Sequence, residues 1–367
     1  MRDWCGPRAL ATLRAMSLIR FSRRGSVAAE RRRWSHRRTA SVRGLRTLGV
    51  ALGAALSLAC GRPAGEPGTL VVFNAGSLAR PLRAALDTFA AREGVLVAQE
   101  SAGSLETARK LTELGKIPDV IALADAEVFP RYLMPAFVDG YAEFDRNRMV
   151  LAYTDRSRFA AEVGPDTWWQ VLLRPGVETG RSDPHLDPNG YRTLLVWQLA
   201  ERHYEQPGLT ARLADAHAER NVRPKEADLV GLLQAGELDY IWSYESMARA
   251  TGLRFVTLPR GIDLSPPDSA GWFGMAAVTV RGARAGDSVV FRGAPIVYGV
   301  AVPKDAPHRA LGERFTAFLL SAEGQAILRR EALDAIASPV GVGVRQPWMP
   351  VSPPAATPDS AAPARVP

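Results

Sequence analysis

The 367 residues, 47% hydrophobic and 8% aromatic, have the composition of an ordinary globular protein and suffice for two domains. A formal charge of +8 and a pI near 9.8 point first to nucleic acid, but residues 1–59 hold 13 Arg and no Lys against Asp3 and Glu30. That stretch alone carries +11, so the rest of the chain stands at −3, and a mildly acidic body argues against a DNA- or RNA-binding protein.

The basic start has the layout of an export signal: arginines through Arg46, then the uncharged stretch 47–59 (TLGVALGAALSLA), then Cys60. Thirteen residues are too few to span a membrane as a helix, which needs about 20. Two readings stand. The signal is simply cleaved, or it is a lipoprotein signal and Cys60 becomes the acylated first residue, although Ser57 stands where a large aliphatic residue is expected. The length of the basic region leaves Met1 and Met16 both open as the start. Cys5 falls in the leader, so the mature chain keeps Cys60 alone, with no internal disulfide and no thiolate metal site.

From residue 69 the pattern alternates: an apolar run (69–73, TLVVF), a helical period over 78–93, a second run (95–99, VLVAQ), a helical segment over 105–115, and a third run at 119–123 (DVIAL). Strands alternating with helices of this length predict βαβ units on a mainly parallel sheet. Ligands of such sheets sit beyond the carboxyl ends of the strands. Two similar turns occupy that edge, Asn74-Ala75-Gly76-Ser77 and Ser101-Ala102-Gly103-Ser104. Ser77 and Ser104 are therefore candidate ligand groups, with helix N-capping as the alternative for each.

A further strand is predicted at 149–154 (MVLAYT), opening a second lobe. Next comes 180–192 (GRSDPHLDPNGYR), which sets two aspartates, a glycine and two prolines at the start of a helix running from 191 to about 204. Such a turn can hold an anion on backbone N–H groups while offering it a carboxylate. After a polar connection, 222–226 (VRPKE) leads into a helix with Leu229, Val230, Leu232 and Leu233 that closes at Gly236. A buried strand follows at 239–243 (DYIWS), with Tyr244 and Glu245 at its carboxyl end. The segment 261–287 reads as a loop, 295–303 (PIVYGVAVP) as a return strand, 309–321 as an amphipathic helix, and Ala322-Glu323-Gly324 as a polar turn.

A chain that builds part of one lobe, crosses to a second and comes back makes a two-lobed clamp with its ligand in the cleft. The expected division is a leader at 1–59, a linker at 60–67, a first lobe at 68–150 and 295–346, a second lobe at 151–294, and a disordered Pro/Ala-rich tail at 347–367.

The segments NAGSL (74–78), SAGSLETARKLTELGKIPDVIALAD (101–125), MVLAYTDRS (149–157), GRSDPHLDPNGYRTLLV (180–196), RPKEADLVGLLQAGELDYIWSYESMA (223–248) and PIVYGVAVPKDAP (295–307), in this order, resemble the periplasmic solute-binding proteins of molybdate and tungstate ABC transporters, in their archaeal tungstate-binding branch. The resemblance implies an α/β type II periplasmic-binding-protein fold, an exported receptor that is periplasmic or held at the cell surface, and a membrane permease as partner. It also implies an oxyanion, tungstate or molybdate, held by Ser77 and Ser104 of the first lobe with Asp187, Glu226 and Tyr244 of the second, and no other cofactor. A monomer is expected. The chain departs from the family at Asn189, where members often carry cysteine, and this puts the packing of that turn in question.

Two carboxylates facing a dianion repel it, by about 4 kcal/mol per pair at 4 Å with an effective dielectric near 20. Mo(VI) and W(VI) reverse that logic, because a large electron-poor centre can take carboxylate oxygen as an added ligand. Asp187 and Glu226 are thus expected to bind the metal of the oxyanion directly, and the serines and nearby N–H groups its oxo oxygens. The local alternatives are a turn-shaping role for Asp187, a helix-dipole role for Glu226 and a core role for Tyr244. Asp183 and Glu245 read as a turn former and a solvated group. His185, His203, His217 and His308 lack metal-ligand spacing, and neither a G-x-S-x-G elbow nor a P-loop occurs, so an enzyme, a hydrolase above all, ranks below a receptor. A receptor for sulfate, phosphate or a small organic acid is the nearer alternative.

Overall fold

The computed structural model describes residues 68–350, all within one compact unit, Arg62–Pro367. The expected leader, Cys60, both candidate starts and most of the expected tail lie outside the described residues.

The first lobe opens with β1 (Thr69–Ala75), α1 (Ala79–Glu93), β2 (Leu96–Ala102), α2 (Ser104–Thr112) and β3 (Val120–Leu123). In α1 the apolar residues Leu82, Ala85, Leu86 and Phe89 recur at helical spacing and are all buried. At about 1.5–3 kcal/mol for each large side chain, this face anchors the helix. Gly94 then stops it in the left-handed region, at φ 65°. β1 pairs in parallel with both β2 and β3, with Asn74 opposite Ser101 and Ala75 opposite Ala102. The two serine turns therefore leave the sheet side by side.

β4 (Gly140–Asn147) belongs to the first sheet and β5 (Met149–Tyr153) to the second, so the chain crosses between lobes over Arg148 alone. The second lobe continues through α3 (Trp168–Leu172), β6 (Thr179–Ser182), α4 (Pro188–His203), α5 (Leu209–Ala216), β7 (Val222–Arg223), α6 (Ala227–Ala235), β8 (Tyr240–Tyr244), α7 (Glu245–Ala250) and β9 (Arg254–Thr257). Its sheet has the order β7-β6-β8-β5-β9. β5 is buried along its whole length and divides by the strand period: Met149, Leu151 and Tyr153 join the main core, while Val150 and Ala152 join a smaller core under α6 and α7.

Beyond α8 (Ala270–Phe273), the segment expected as a loop contains a strand, β10 (Ala277–Arg281), which pairs with β11 (Ser288–Arg292) as an antiparallel hairpin. The strand is only five residues long and mostly half-exposed, so no apolar run marks it. The hairpin touches both lobes: Thr112 of α2 donates to Ala283 O at 2.6 Å, and Gln198 of α4 exchanges two hydrogen bonds with Ala277. β12 (Ile296–Ala301) then returns antiparallel between β3 and β4, followed by α9 (Arg309–Leu320), α10 (Ala322–Arg330) and β13 (Asp334–Gly343).

Two expectations need correction here. Ala322-Glu323-Gly324 is not a terminating turn but the first turn of α10, because Ser321 Oγ accepts from Gly324 N at 3.3 Å and so caps a new helix. The ordered body also runs past residue 346: Trp348 and Met349 are buried, with Met349 packed beside Gly341 of β13.

Candidate functional site

The five candidate residues stand at five element ends. Ser77 lies in a short 3-10 turn after β1, Ser104 opens α2, Asp187 caps α4, Glu226 immediately precedes α6, and Tyr244 ends β8. All are more than nine-tenths buried.

Asp187 holds α4 and the next loop together. Its Oδ1 accepts from Asn189 N at 3.1 Å and its Oδ2 from Glu226 N at 2.8 Å. The turn-shaping role is thus real, and it carries the carboxylate to Glu226. Pro188 supplies the preset φ of the first helical position, and Gly190 lets the turn close, since a Cβ there would lie 2.4 Å from Ser182 O. Asn189, the departure from the family pattern, is fully buried, its Oδ1 accepting from Ser182 Oγ at 3.2 Å while its Nδ2 has no hydrogen-bond partner among the described residues.

Glu226 does not cap its helix. Its Oε1 turns to the end of β8 and accepts from Ser243 Oγ and Tyr244 N, both at 2.6 Å. Oε2 is buried with no hydrogen-bond partner among the described residues. Burial pushes the Glu226 carboxyl up to about 8, with the neighbouring Asp187 adding to the shift against the Ser243 and Tyr244 donors. Burial likewise raises Asp187 to about 6, against the pull of its two backbone N–H donors. Two buried acids side by side, one with an oxygen that no described residue reaches by a hydrogen bond, form a pair that a positive centre would complete.

The three hydroxyls have the opposite character. Ser104 Oγ is not an N-cap; it accepts from Ala124 N at 3.0 Å. Tyr244 OH accepts from Arg192 Nη1 at 2.7 Å, and Ser77 Oγ lies 3.1 Å from Tyr298 OH. An arginine or backbone N–H can only donate, so the hydroxyl it reaches keeps its own hydrogen for another acceptor. Ser104 and Tyr244 are therefore committed donors, suited to oxo oxygens.

The lobes meet around this group. Leu105 N and Glu106 N both donate to Leu186 O at 3.1 Å, Arg109 Nη2 donates to His185 O at 2.7 Å, and Arg192 joins Asp125 at 3.0 Å while donating to Ala124 O at 2.7 Å. Tyr191 OH also donates to Asp125. The tightest approach is at Gly103, where a Cβ would lie 2.3 Å from Leu186 O and 3.1 Å from the Asp187 Cα. Gly103→Ala is expected to hold the lobes apart and weaken ligand binding about tenfold or more, with the fold retained. Titration calorimetry beside circular dichroism tests this; an alanine variant that binds like the parent removes the close approach from the binding process.

Residues 70–331 match the family described as bacterial extracellular solute-binding protein. The chain belongs to that family. Among curated relatives of this solute-binding protein, an uncharacterized solute-binding protein of Petrotoga mobilis is 40% identical over 76% of the chain and 87% of its own length. The molybdate/tungstate-binding protein WtpA of Pyrococcus abyssi is 36% identical over 75% of the chain and 86% of its own length. Among solved structures, the sulfate-binding protein SubI of Mycobacterium tuberculosis covers 74% of the chain and 88% of its own, with a TM-score of 0.51 and 16% identity, which supports the α/β binding-protein fold.

For the solute-binding protein, contacts join Asp187, Glu226 and Tyr244 directly, and Gly103, the residue before Ser104, lies against Asp187. Ser77 enters through Tyr298, whose ring centroid is 6.0 Å from that of Tyr244. Asp183 is a turn residue, accepting from His185 N at 2.8 Å, and Glu245 is paired with Arg148 at 2.8 Å. His185 Nδ1 accepts from Arg281 N at 3.2 Å. Sequence reasoning missed Arg192, Tyr298, Asn147 and Ser243. Arg192 ends the quoted DPNGYR stretch and Tyr298 sits in PIVYGVAVP, so both lay in view, but nothing local shows that either reaches the site.

Proposed function

We propose that this solute-binding protein captures tungstate or molybdate between its lobes and delivers it to the permease of an ABC importer. One observation carries the reading: Asp187 and Glu226 are adjacent and buried, with Glu226 Oε2 unpartnered, among hydroxyls arranged to donate. A sulfate ion has no hydrogen to give, so its site gains from donors and loses from ionised carboxylates. A tetrahedral metal oxyanion uses both, its oxo groups taking Ser77, Ser104 and Tyr244 and its metal taking Asp187 and Glu226. The relatives named as molybdate/tungstate-binding proteins support the same ligand class.

The action is capture without chemistry. An open clamp takes the anion on one lobe, closure adds the other lobe's donors and excludes water, and the permease recognises the closed form. Acylation of Cys60 would hold this monomeric receptor at the membrane. Calorimetric titration with tungstate, molybdate, sulfate and phosphate tests the proposal. Tight binding of the first two, with sulfate failing to displace them, is the expected result; sulfate binding as tightly as tungstate makes the protein a general oxyanion receptor, and turnover of a bound substrate makes it an enzyme.

A further inference from the structure

Tyr298 of β12 is fully buried between the crossing segment and Ser77. Its hydroxyl lies 3.0 Å from Asn147 Nδ2 and 3.1 Å from Ser77 Oγ. Which way these bonds run depends on the Asn147 amide, and two backbone groups settle its orientation. Arg148 N and Ser246 N point at Oδ1, at 3.0 and 3.4 Å, and both can only donate. The NH2 end therefore faces Tyr298 and Ser246 Oγ, the latter at 2.7 Å. An amide NH2 has no acceptor capacity, so the Tyr298 oxygen accepts from it, and of the two partners of this hydroxyl among the described residues only Ser77 Oγ can accept the phenolic hydrogen. Ser77, its lone pair taken, keeps its own hydrogen for a further acceptor.

We propose that Asn147 and Tyr298 are positioning residues, a one-way hydrogen-bond relay that commits Ser77 to donate to the bound oxyanion and starts at the lobe crossing. The proposal rests on the reading of Ser77 as a ligand group. Asn147 ends β4, one residue before the chain enters the second sheet, and it also holds Ser246 at the start of α7. The polarity of Ser77 is thus set by a residue that bridges first and second lobes, its amide oriented by Arg148 N and Ser246 N together. Ser104 and Tyr244 receive the same treatment from Ala124 N and Arg192, so all three hydroxyls present hydrogen to an anion that has only acceptors.

The relay has a direction, and a near-isosteric change can reverse it. In Asn147→Asp both oxygens accept: one keeps Arg148 N and Ser246 N, the other takes the Ser246 and Tyr298 hydroxyls. The Tyr298 oxygen must then accept from Ser77, whose hydrogen turns away from the ligand. Tungstate affinity, measured by calorimetry, is expected to fall about 30-fold or more in Asn147→Asp, the loss of a hydrogen bond to a charged group plus the repulsion of the new carboxylate. Tyr298→Phe should cost about fivefold, because Ser77 keeps its hydrogen and loses only its orienting donor. In the Tyr298→Phe background nothing remains to reverse, so Asn147→Asp should then cost only its charge repulsion, about threefold. Equal penalties for Asn147→Asp with Tyr and with Phe at 298 overturn the relay. Ser77→Ala separates the two ideas: unchanged tungstate binding removes Ser77 from the site and the relay with it, whereas weakened binding together with equal Asn147→Asp penalties leaves Ser77 as a ligand group and overturns the relay alone.

Discussion

Replacing Glu226 by glutamine is expected to weaken tungstate binding at least about a hundredfold while raising the stability of the ligand-free protein. Glutamine preserves the inner half of the interaction, since its carbonyl oxygen can accept from Ser243 Oγ and Tyr244 N where Glu226 Oε1 now does. At the position of Oε2 it places an NH2, which can donate to an oxo oxygen but cannot ligate a metal. Groups that merely support metal ligands cost 10–100-fold when altered, and loss of a ligand itself belongs at or above the upper end. The stability gain has a separate cause. In the empty protein Glu226 is a buried acid with one unpartnered oxygen, and the ionised form is disfavoured by burial; a neutral side chain of the same shape removes that cost. The melting temperature near pH 8 should rise by several degrees. Asp187→Asn should also lose tungstate but melt lower than the parent, because both Asp187 oxygens accept from backbone N–H groups and the new NH2 would face one of them. Calorimetry for binding and for unfolding separates the outcomes. If Glu226→Gln binds tungstate as the parent does, the carboxylate is not a ligand.

Tungstate affinity should rise about tenfold per pH unit between pH 6 and 8 and level off above 8. In the ligand-free protein burial raises Asp187 to about 6 and Glu226 to about 8, against ordinary values of 3.8 and 4.5. Metal ligation requires the ionised carboxylates, so binding near pH 7 expels close to one proton, from Glu226. Binding therefore strengthens with pH until Glu226 is ionised beforehand. The stability of the empty protein runs the other way. Both folded pKa values are raised, so the folded state binds more protons than the unfolded chain between about pH 4 and 8, and stability falls as pH rises through that window. Above about 8 the full cost is present, and below about 4 it is absent. Titrations at pH 7 in buffers of different ionisation enthalpy should report about one proton released, and titrations at pH 9.5 almost none. A flat affinity from pH 6 to 8 would show that neither acid changes its charge on binding.

Much of the architecture is written in local pattern. The α1 face at 82, 85, 86 and 89, the stop at Gly94 and the cap at Asp187-Pro188 each depend on neighbours within one or two turns, and periodicity exposes them. The hairpin β10–β11 and the helix α10 escaped, the first because its short strands are half-exposed and lack an apolar run, the second because Ser-Ala-Glu-Gly can end a helix or begin one. The correct choice for Ser321 follows from where Gly324 N comes to lie.

At the site, residue type and place were legible: two serines after equivalent strands, an aspartate before a proline, a glutamate entering a helix and a tyrosine ending a strand all carry their chemistry in one dimension. What each group does was decided in three. Glu226 becomes an acid whose ionised form is disfavoured because β8 and Asp187 bury it, and its Oε2 has no hydrogen-bond partner among the described residues. The hydroxyls become donors because Ala124 N, Arg192 and the Asn147–Tyr298 pair occupy their lone pairs, from as far as 221 residues away in the link between Ser77 and Tyr298. A sequence states which atoms can donate or accept, but the direction of a hydrogen bond and the charge of a buried acid depend on which groups reach it and which water leaves, and only the folded chain determines that.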